Sequence, residues 1–403
     1  MKTLIADAFP ASAGDTLARQ GLQVDYQPGL SAGDLPEALN GVEILVVRST
    51  RVTADAINSG DDLSLIIRAG AGVNTIDIDA ANSRGVFVAN CPGKNSIAVA
   101  ELAMGLIVAV DRRIPENTAD FRAGLWNKGA YSKANGLAGS VIGIAGYGQI
   151  GRELAHRARA FGMTVCAWSR SLTPDRAEAE GLRYCETVDE LLKQSDIVSL
   201  HTALNDATRG MIDRKRLEAM RPGAILINTA RAEIIDEAAL VDALENGHIR
   251  AGLDVFNDEP EGKKGTVQSR LQTCPNLVLT HHIGASTTQA QEAVADEAVR
   301  IIDVYRRTGR VENWVNRSPR TPARYQIVVR HQDRPGVLAN VLRELKDARI
   351  NAEEVENVIF SGNRTASCAI KLDDKPSDSV LAAIRGRTDE VISARLLEIP
   401  PED

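Results

Sequence analysis

The stretch VIGIAGYGQIGRELA, residues 141–155, says most about the fold. It joins a β-branched run, VIGIA, to Gly146, Gly148 and Gly151 and then to a helical pattern. In such a strand-loop-helix unit the first glycine makes a tight turn, the second lets backbone N–H groups approach a pyrophosphate, and the third allows close helix packing. The positive end of the helix faces the phosphates. The stretch therefore predicts a dinucleotide-binding site at the edge of a parallel sheet.

Further strands follow at the spacing of a doubly wound sheet. The predicted runs are TVCAW (164–168), DIVSL (196–200), AILIN (224–228), AGLDV (251–255) and LVLT (277–280). Upstream, from residue 3, the runs TLIADA, EILVVRS, LSLIIRA and GVFVAN alternate with helical patterns, which is typical of parallel strands covered by helices. The sequence therefore predicts two α/β regions.

A different order begins after NRSPRTPAR (316–324), which has two prolines and no periodicity and is typical of a linker. The elements beyond it are YQIVVR, PGVLANVLRELKDA, AEEVENVIF, TASCAIKL, PSDSVLAAIRGR and VISARLLEI. Their βαββαβ order predicts a small ferredoxin-like domain.

Composition excludes several classes of protein. A chain of 403 residues with 44% apolar content predicts two or three domains. The net charge of −7 argues against nucleic-acid and membrane-surface partners, and no ligand cluster predicts a metal site. Five cysteines without a CxxC pair, and an N-terminus without a leader, favour a reducing, cytoplasmic setting. The apolar run 97–110 is too short to span a membrane and predicts a buried or subunit-interface helix.

The carboxylate that would hold the 2′-hydroxyl of NAD should follow TVCAW. Ser169 and Arg170 stand there instead. A guanidinium can bind a 2′-phosphate, so the local chemistry favours NADP, while NAD without that contact stays open.

Three further segments complete a pattern: INTARAEIIDEAAL around Arg231, LDVFNDEP around Glu259, and HHIGAST around His282. With GYGQIG and SLHTALNDATRG they resemble the D-2-hydroxyacid dehydrogenase family over nearly the whole chain, and the C-terminal module narrows the resemblance to its phosphoglycerate dehydrogenases. The resemblance implies catalysis by Arg231, Glu259 and His282. A histidine can take the hydroxyl proton, a carboxylate can orient it, and an arginine can clamp the substrate carboxylate.

The resemblance also implies a discontinuous fold. A flavodoxin-like substrate domain takes residues 1–99 and 284–315, a Rossmann cofactor domain takes 100–283, a linker takes 316–323, and a regulatory ACT domain takes 324–403. The expected class is α/β, with two doubly wound parallel-sheet domains followed by a ferredoxin-like module. The active site is expected in the cleft between the first two domains.

Further site residues are carried over position by position. The expected cofactor contacts are Gly146, Tyr147, Gly148, Gln149, Ile150, Gly151, Ser169, Arg170, His201, Thr202, Thr229, Ala230, Asp254 and Gly284. The expected substrate contacts, by side chains and backbone amides, are Arg48, Ser49, Arg68, Gly70, Gly72, Asn95 and, across a subunit interface, Lys128. A simpler alternative is that Arg48 and Arg68 pair with nearby acids.

In serine-inhibited relatives a histidine and two asparagines of the ACT domain hold the effector. The matching positions are His331, Asp333 and Asn351, so L-serine is a possible effector here. Asp333 replaces an asparagine and cannot donate to a carboxylate.

Some positions depart from the family pattern. His281 stands where proline is common, Ala203 where the LHxP segment often has proline, and Ala232 and Glu233 where glycines often follow the arginine. Adjacent strand residues face opposite ways, so we expect His282 to be the acid–base residue and His281 to lie at the surface.

The resemblance implies oxidation of 3-phospho-D-glycerate, a small phosphorylated 2-hydroxy acid, to 3-phosphooxypyruvate with NAD or NADP in L-serine biosynthesis. Two alternatives stay open: an NADPH-dependent hydroxypyruvate or glyoxylate reductase, and a non-catalytic NAD-sensing scaffold. A homodimer or homotetramer is expected.

Overall fold

The computed structural model describes residues 1–260, 265–318 and 321–400. The chain divides into two compact units, with the boundary between Asn316 and Arg317. The first unit contains two parallel sheets and the second contains one antiparallel sheet. The predicted α/β class with a small C-terminal module is therefore confirmed.

The first sheet is built from the N-terminal β/α series. Its elements are β1 (Lys2–Ile5), α1 (Ala11–Arg19), β2 (Gln23–Tyr26), α2 (Leu35–Ala38), β3 (Ile44–Val47), α3 (Ala54–Ser59), β4 (Leu65–Arg68), α4 (Ile78–Arg84) and β5 (Phe87–Asn90). The strand order is β2-β1-β3-β4-β5, with every pair parallel. The order reverses between β1 and β3, and this switch point is where open α/β sheets form their binding crevice.

Three helices then lead to the second sheet: α5 (Ser96–Arg112), α6 (Ile114–Arg122) and α7 (Lys128–Tyr131). The second sheet and its helices follow as β6 (Val141–Ala145), α8 (Gln149–Ala160), β7 (Thr164–Trp168), α9 (Pro174–Ala179), β8 (Arg183–Tyr184), α10 (Val188–Gln194), β9 (Ile197–Leu200), α11 (Arg214–Ala219), β10 (Ile225–Asn228), α12 (Glu237–Glu245), β11 (Arg250–Leu253) and β12 (Leu277–Leu279). Short 3₁₀ turns cover Ala232–Ile234 and Arg270–Thr273. All seven strands are parallel in the order β12-β11-β10-β9-β6-β7-β8, so the switch point lies between β6 and β9.

The chain crosses between the two sheets twice. Helix α5 packs on α8, β10 and β11, so its apolar face is buried against the second sheet. Helix α13 (Thr288–Thr308) instead packs on α1 and joins the core of the first sheet. The crossings therefore fall at residues 91–95 and 283–287. The numerical bounds of the two predicted domains stay a prediction.

The second unit contains β13 (Tyr325–Gln332), α14 (Val337–Asp347), β14 (Ala352–Ile359), β15 (Thr365–Leu372), α15 (Asp378–Arg385) and β16 (Val391–Glu398). Its antiparallel order, β14-β15-β13-β16, is that of a ferredoxin-like βαββαβ domain. The alternating burial along β15 shows one face packed on the helices.

Other features qualify the sequence predictions. No described helix is long and apolar enough to cross a membrane. All five cysteines are free thiols. The apolar run Leu277–Leu279 predicts a buried strand, but β12 is only half buried because it is the edge strand of its sheet, so that prediction is wrong.

Candidate active site

A cleft of about 880 Å³ lies between the carboxyl edges of the two parallel sheets. Loops after β1, β3 and β4 line one side, and loops after β10, β11 and β12 line the other, with α13 closing the base. Eight predicted residues line it: Arg48, Ser49, Arg68, Gly70, Asn95, Arg231, Glu259 and His282.

The predicted acid–base pair forms. His282 Nδ1 lies 2.7 Å from Glu259 Oε2, and Glu259 Oε1 accepts a 3.1 Å hydrogen bond from the Phe256 amide. The hydrogen bond that His282 donates to the Glu259 carboxylate raises the pKa of His282 above its usual 6.5, against the opposing effect of burial. With Nδ1 held by the carboxylate, Nε2 is the nitrogen left for proton transfer to a substrate.

His282 lies beyond the strand, in a turn organised by Asp254. The Asp254 carboxylate is buried and accepts hydrogen bonds from the amides of Ile283 and Gly284 at 2.8 Å, and from Thr280 Oγ1 at 2.6 Å. The His282 amide donates to the Asp254 carbonyl at 2.9 Å. His282 itself has φ +51, a left-handed conformation that few residues without hydrogen-bond support adopt. The argument from strand alternation therefore does not apply, and the turn sets the direction of the ring.

His281 is exposed and has no hydrogen bond or ion pair with any described residue. Its surface position agrees with the expectation from sequence. That it contributes nothing to catalysis stays a prediction.

Three guanidinium groups gather in the cleft, two from the first sheet and one from the second. Arg48 and Arg68 come from the ends of β3 and β4, and Arg231 follows β10. Burial, and then repulsion from Arg231 and Arg48, lower the pKa of Arg68. None of the three pairs with a carboxylate among the described residues, so the alternative that Arg48 and Arg68 are structural ion-pair partners is not what this structure shows.

Glycines make room for two of these guanidiniums. A Cβ on Gly70 would lie 1.8 Å from Arg68 Nη1, and a Cβ on Gly72 would lie 2.6 Å from Arg231 Nη2. Such contacts are far inside van der Waals distance. The two glycines therefore contribute space for the arginine side chains.

The backbone amides of Ser49 and Gly70 form hydrogen bonds within the chain, and contact of these two residues with substrate stays a prediction. The Ser49 amide donates to the Asp7 carboxylate at 2.9 Å, and the Gly70 amide donates to the Arg68 carbonyl at 2.8 Å. Both donors are therefore already used within the chain. Ser49 still lines the cleft through its side chain.

The glycine loop has the geometry that its sequence predicted. Gly146 has φ +101, and a Cβ there would lie 2.6 Å from the His201 carbonyl. A Cβ on Gly151 would lie 2.4 Å from the Gly146 oxygen, so this glycine lets α8 approach β6. Gly148, by contrast, faces open space, since a Cβ there would have no atom within 4 Å. A phosphate can reach the first amides of α8 through that space.

Polar atoms around this loop fit a bound dinucleotide. Across the described chain, several buried side-chain atoms lack a hydrogen-bond partner. Two of them, His201 Nδ1 and Thr202 Oγ1, belong to the segment that lies against Gly146. Thr229 Oγ1 follows the neighbouring strand β10, and Asn95 Oδ1 belongs to a residue that lines the cleft. His201 Nε2 is bonded to Ser199 Oγ at 2.8 Å, and burial of the ring lowers the pKa of His201 to about 4. Buried polar atoms without partners are rare, so these indicate a ligand.

Other predicted cofactor residues serve the loop differently. The Tyr147 hydroxyl donates to Glu180 at 2.8 Å, so its side chain is turned into the protein. The Gln149 amide occupies the space beside Gly93, in the first crossing. Ser169 and exposed Arg170 follow β7, and Arg170 has no ion pair with a described residue. Of the remaining members, Ile150 lies in the first turn of α8, Ala230 follows β10, and Gly284 lies in the turn held by Asp254.

Four predicted residues lie elsewhere. Lys128 begins α7 and does not line the cleft. In the second unit, buried His331 contacts Asn357 Oδ1 at 3.1 Å and the Gln332 carbonyl at 2.8 Å, whereas exposed Asn351 donates to Glu353 at 2.7 Å. Half-buried Asp333 bonds neither of them. The three effector candidates do not share a hydrogen-bonded site.

Sequence reasoning missed several residues of the cleft. Phe9, Asn74, Thr75, Asn257 and Gln291 also line it. It also missed Asp7 and Glu237, which hold loops from behind; the Asn257 amide donates to Glu237 at 2.8 Å. The signal for Asp7 was its position directly after the TLIA run, at the carboxyl end of a parallel strand.

Comparisons with known proteins place this geometry in a family. Residues 104–284 match the family model described as D-isomer specific 2-hydroxyacid dehydrogenase, NAD binding domain. The D-3-phosphoglycerate dehydrogenase of Methanocaldococcus jannaschii is 36% identical over 371 residues, which is 90% of this chain and 68% of that protein. The hydroxypyruvate reductase of Thermotoga maritima is 42% identical over 276 residues, 68% of this chain and 88% of that protein.

The crystal structure of NAD⁺-bound 3-phosphoglycerate dehydrogenase from Entamoeba histolytica superposes with a TM-score of 0.66. It is 25% identical and covers 79% of this chain and 99% of its own. The protein is thus an oxidoreductase that uses a nicotinamide cofactor. The chain belongs to the D-isomer specific 2-hydroxyacid dehydrogenase family.

Proposed function

We propose that this protein oxidises 3-phospho-D-glycerate at C2 to 3-phosphooxypyruvate, for L-serine biosynthesis. The observation that carries the proposal is that one cleft holds both the Glu259–His282 pair and three guanidiniums without carboxylate partners among the described residues. A substrate with a carboxylate and a phosphate supplies the anions that three fixed cations require.

The chemistry follows from the placement of each side chain. Arg231 clamps the substrate carboxylate and polarises the C2 oxygen, while Arg48 and Arg68 hold the phosphate. His282 Nε2 takes the proton from the C2 hydroxyl, and Glu259 stabilises the resulting imidazolium. The nicotinamide, when bound, accepts the hydride that leaves C2.

The cofactor is held by chain elements at the second switch point. The amides of the first turn of α8 would hold the pyrophosphate, with Gly148 leaving the space for it. Thr202, Thr229 and His201 supply polar atoms that have no described partner. Because Ser169 and Arg170 stand where a ribose-binding carboxylate would repel a 2′-phosphate, we propose NADP as the better cofactor and NAD as the alternative.

A second candidate function is NADPH-dependent reduction of hydroxypyruvate or glyoxylate. Glu233 favours it, because this carboxylate lines the cleft where family members often have glycine and would oppose a phosphate dianion. The Thermotoga maritima relative named hydroxypyruvate reductase supports the same alternative.

Steady-state kinetics on both substrate pairs, each with NAD(H) and NADP(H), separates the two candidates. We expect the catalytic efficiency to depend strongly on the phosphate of the substrate. Equal efficiency with phosphorylated and unphosphorylated acids would contradict the proposed substrate.

We also propose that the protein is a homodimer through the α6–α7 segment. This segment exposes Phe121 at 71% and Trp126 at 81%, and no residue of α6 is buried. Exposed aromatic side chains of this kind usually mark an interface. Lys128 lies in the same segment and would then reach the partner's cleft. Sedimentation of the intact protein and of Trp126→Ser tests this assembly.

The effector proposal is L-serine at the second unit, with Asp333 meeting its ammonium group and Asn351 its carboxylate. The residue types and the exposure of Asn351 support it. Calorimetry and activity measurements across millimolar serine test it, and flat activity with no heat of binding would contradict it.

A further inference from the structure

Asp7 lies at the switch point of the first sheet, directly after β1, and only 8% of it is exposed. Neighbouring β3 ends at Val47, and residues 48–50 form the loop that carries Arg48 into the cleft. In open α/β sheets this crevice is where a ligand binds. Here the carboxylate of Asp7 lies at the switch point without lining the cleft itself.

One oxygen of Asp7 accepts hydrogen bonds from all three backbone amides of the loop. Asp7 Oδ2 accepts the amides of Arg48 at 2.7 Å, Ser49 at 2.9 Å and Thr50 at 2.9 Å. Three consecutive amides pointing at one atom fix the backbone of the loop in a single conformation. The Cα–Cβ direction of Arg48, and with it the reach of the guanidinium, is therefore set by Asp7.

The same carboxylate also acts on the guanidiniums electrostatically. The loop amides favour the ionised form and lower the pKa of Asp7, although burial opposes them. The negative charge in turn favours charged Arg68, which burial and the other two arginines disfavour. Asp7 thus sits behind the arginine cluster without pairing with it, and the guanidiniums stay free for a ligand.

We propose that Asp7 is a positioning residue for substrate binding: it holds the 48–50 loop so that Arg48, with Arg68 beside it, faces the anionic group of the substrate. This inference rests on the proposed function only for the identity of that anion. It predicts an effect on substrate affinity and little on the chemical step, because Asp7 does not line the cleft.

Asp7→Ala and Asp7→Asn test the proposal, with Asp213→Ala as the matched control. Asp213 also accepts a backbone amide, that of Arg216 at 2.9 Å, but caps α11 away from the cleft. We expect Asp7→Ala to raise KM for the 2-hydroxy acid about 10- to 100-fold, with kcat changed by no more than about threefold and KM for the cofactor unchanged. Asp7→Asn, which keeps an acceptor oxygen, should recover most of the loss.

Hydrogen exchange of the peptide that contains residues 48–50 gives a readout that needs no turnover. We expect faster exchange in Asp7→Ala and wild-type exchange in Asp213→Ala. If the wild-type protein did not oxidise 3-phosphoglycerate, the proposed substrate would be wrong. Hydrogen exchange, and KM for the 2-hydroxy acid that the protein does turn over, would still test the role of Asp7. The proposal is overturned by a wild-type KM in Asp7→Ala, by unchanged exchange, by an Asn variant as impaired as the Ala variant, or by the same KM change in Asp213→Ala.

Discussion

The two parallel sheets treat the amides at their switch points in opposite ways. Between β6 and β9, Gly148 leaves open space over the first amides of α8. Between β1 and β3, Asp7 takes three amides within the chain. The first arrangement can bind an anion from outside, whereas the second has its anion built in. Backbone amides without a partner, as at α8, are therefore available to bind an anionic ligand. Amides that already donate to a carboxylate, as at residues 48–50, instead fix the loop that carries a side chain.

The edge of the second sheet contains both arrangements. Asp254 satisfies the amides of Ile283 and Gly284, and the turn between them and β12 presents His282. Asp7 and Asp254 thus have the same structural role in two loops of the cleft: one fixes the loop of Arg48, and the other fixes the turn of His282. Variants at each arrangement test whether this contrast between free and satisfied amides holds.

The largest effect is expected at His282, which lies in the turn whose amides donate to Asp254. His282→Ala should lower kcat about 10²- to 10⁴-fold, because no other described group near Glu259 can take the C2 proton. Single-turnover measurements with 3-phosphoglycerate and NADP or NAD measure the loss. His281→Ala is the control and should stay within about twofold of wild type, as for an exposed side chain without partners. The reverse ranking would overturn the assignment of the two histidines.

Gly148→Asp places a carboxylate at the switch point between β6 and β9, as Asp7 does at the switch point between β1 and β3. The position has φ −87 and open space, so an aspartate fits without strain. Its carboxylate would take the amides meant for the pyrophosphate and repel it, weakening cofactor binding by about 100-fold or more. Gly148→Ala is the matched control and should cost far less.

Binding of NADPH and NADH, followed by nucleotide fluorescence, measures both Gly148 variants, and circular dichroism checks that they fold. Equal affinity of Gly148→Asp and Gly148→Ala would show that the amides of α8 do not carry the binding.

The switch point between β6 and β9, with free amides, could be predicted from sequence, whereas the switch point between β1 and β3, where Asp7 accepts the amides, could not. The strand, glycines and helix of the first lie within residues 141–155, so the local pattern contains the whole site. Asp7 meets amides 41 to 43 residues away, a contact that only the tertiary structure reveals. Likewise Arg231, Glu259 and His282 were placed by family resemblance, whereas the left-handed turn at His282 depends on a hydrogen bond network centred on Asp254.

The sequence does not predict two short strands at the edges of the parallel sheets. The short edge strands β2 and β8 were not foreseen, because QVDY and RY lack a buried apolar face. Strands with continuous apolar runs, such as β3 and β10, were easy to place, since both of their faces are covered.

Glu259→Gln tests whether the turn held by Asp254 is enough for His282 to act as a base, or whether the Glu259 carboxylate is also needed. The glutamate raises the pKa of His282, so in the wild type the free base, and with it the oxidation rate, grows as pH rises through a value above 6.5. Removing the charge should move that limb of the pH profile of kcat/KM to lower pH, and should lower kcat about tenfold through loss of the stabilised imidazolium. An unmoved pH profile would mean that another group titrates.

The smallest effect is expected beside the switch point between β6 and β9, at Arg170. If the second sheet leaves its cationic groups free for ligands, this exposed guanidinium without a described ion pair should bind a 2′-phosphate. Arg170→Ala should lower kcat/KM for NADP about tenfold and leave NAD nearly unchanged, since one exposed charge-assisted contact is lost. Arg183→Ala, a second exposed arginine of the same sheet, controls for the change in net charge. A ratio of NADP to NAD efficiency that stays constant in Arg170→Ala, or that falls equally in Arg183→Ala, would show that Ser169 and Arg170 do not select the cofactor.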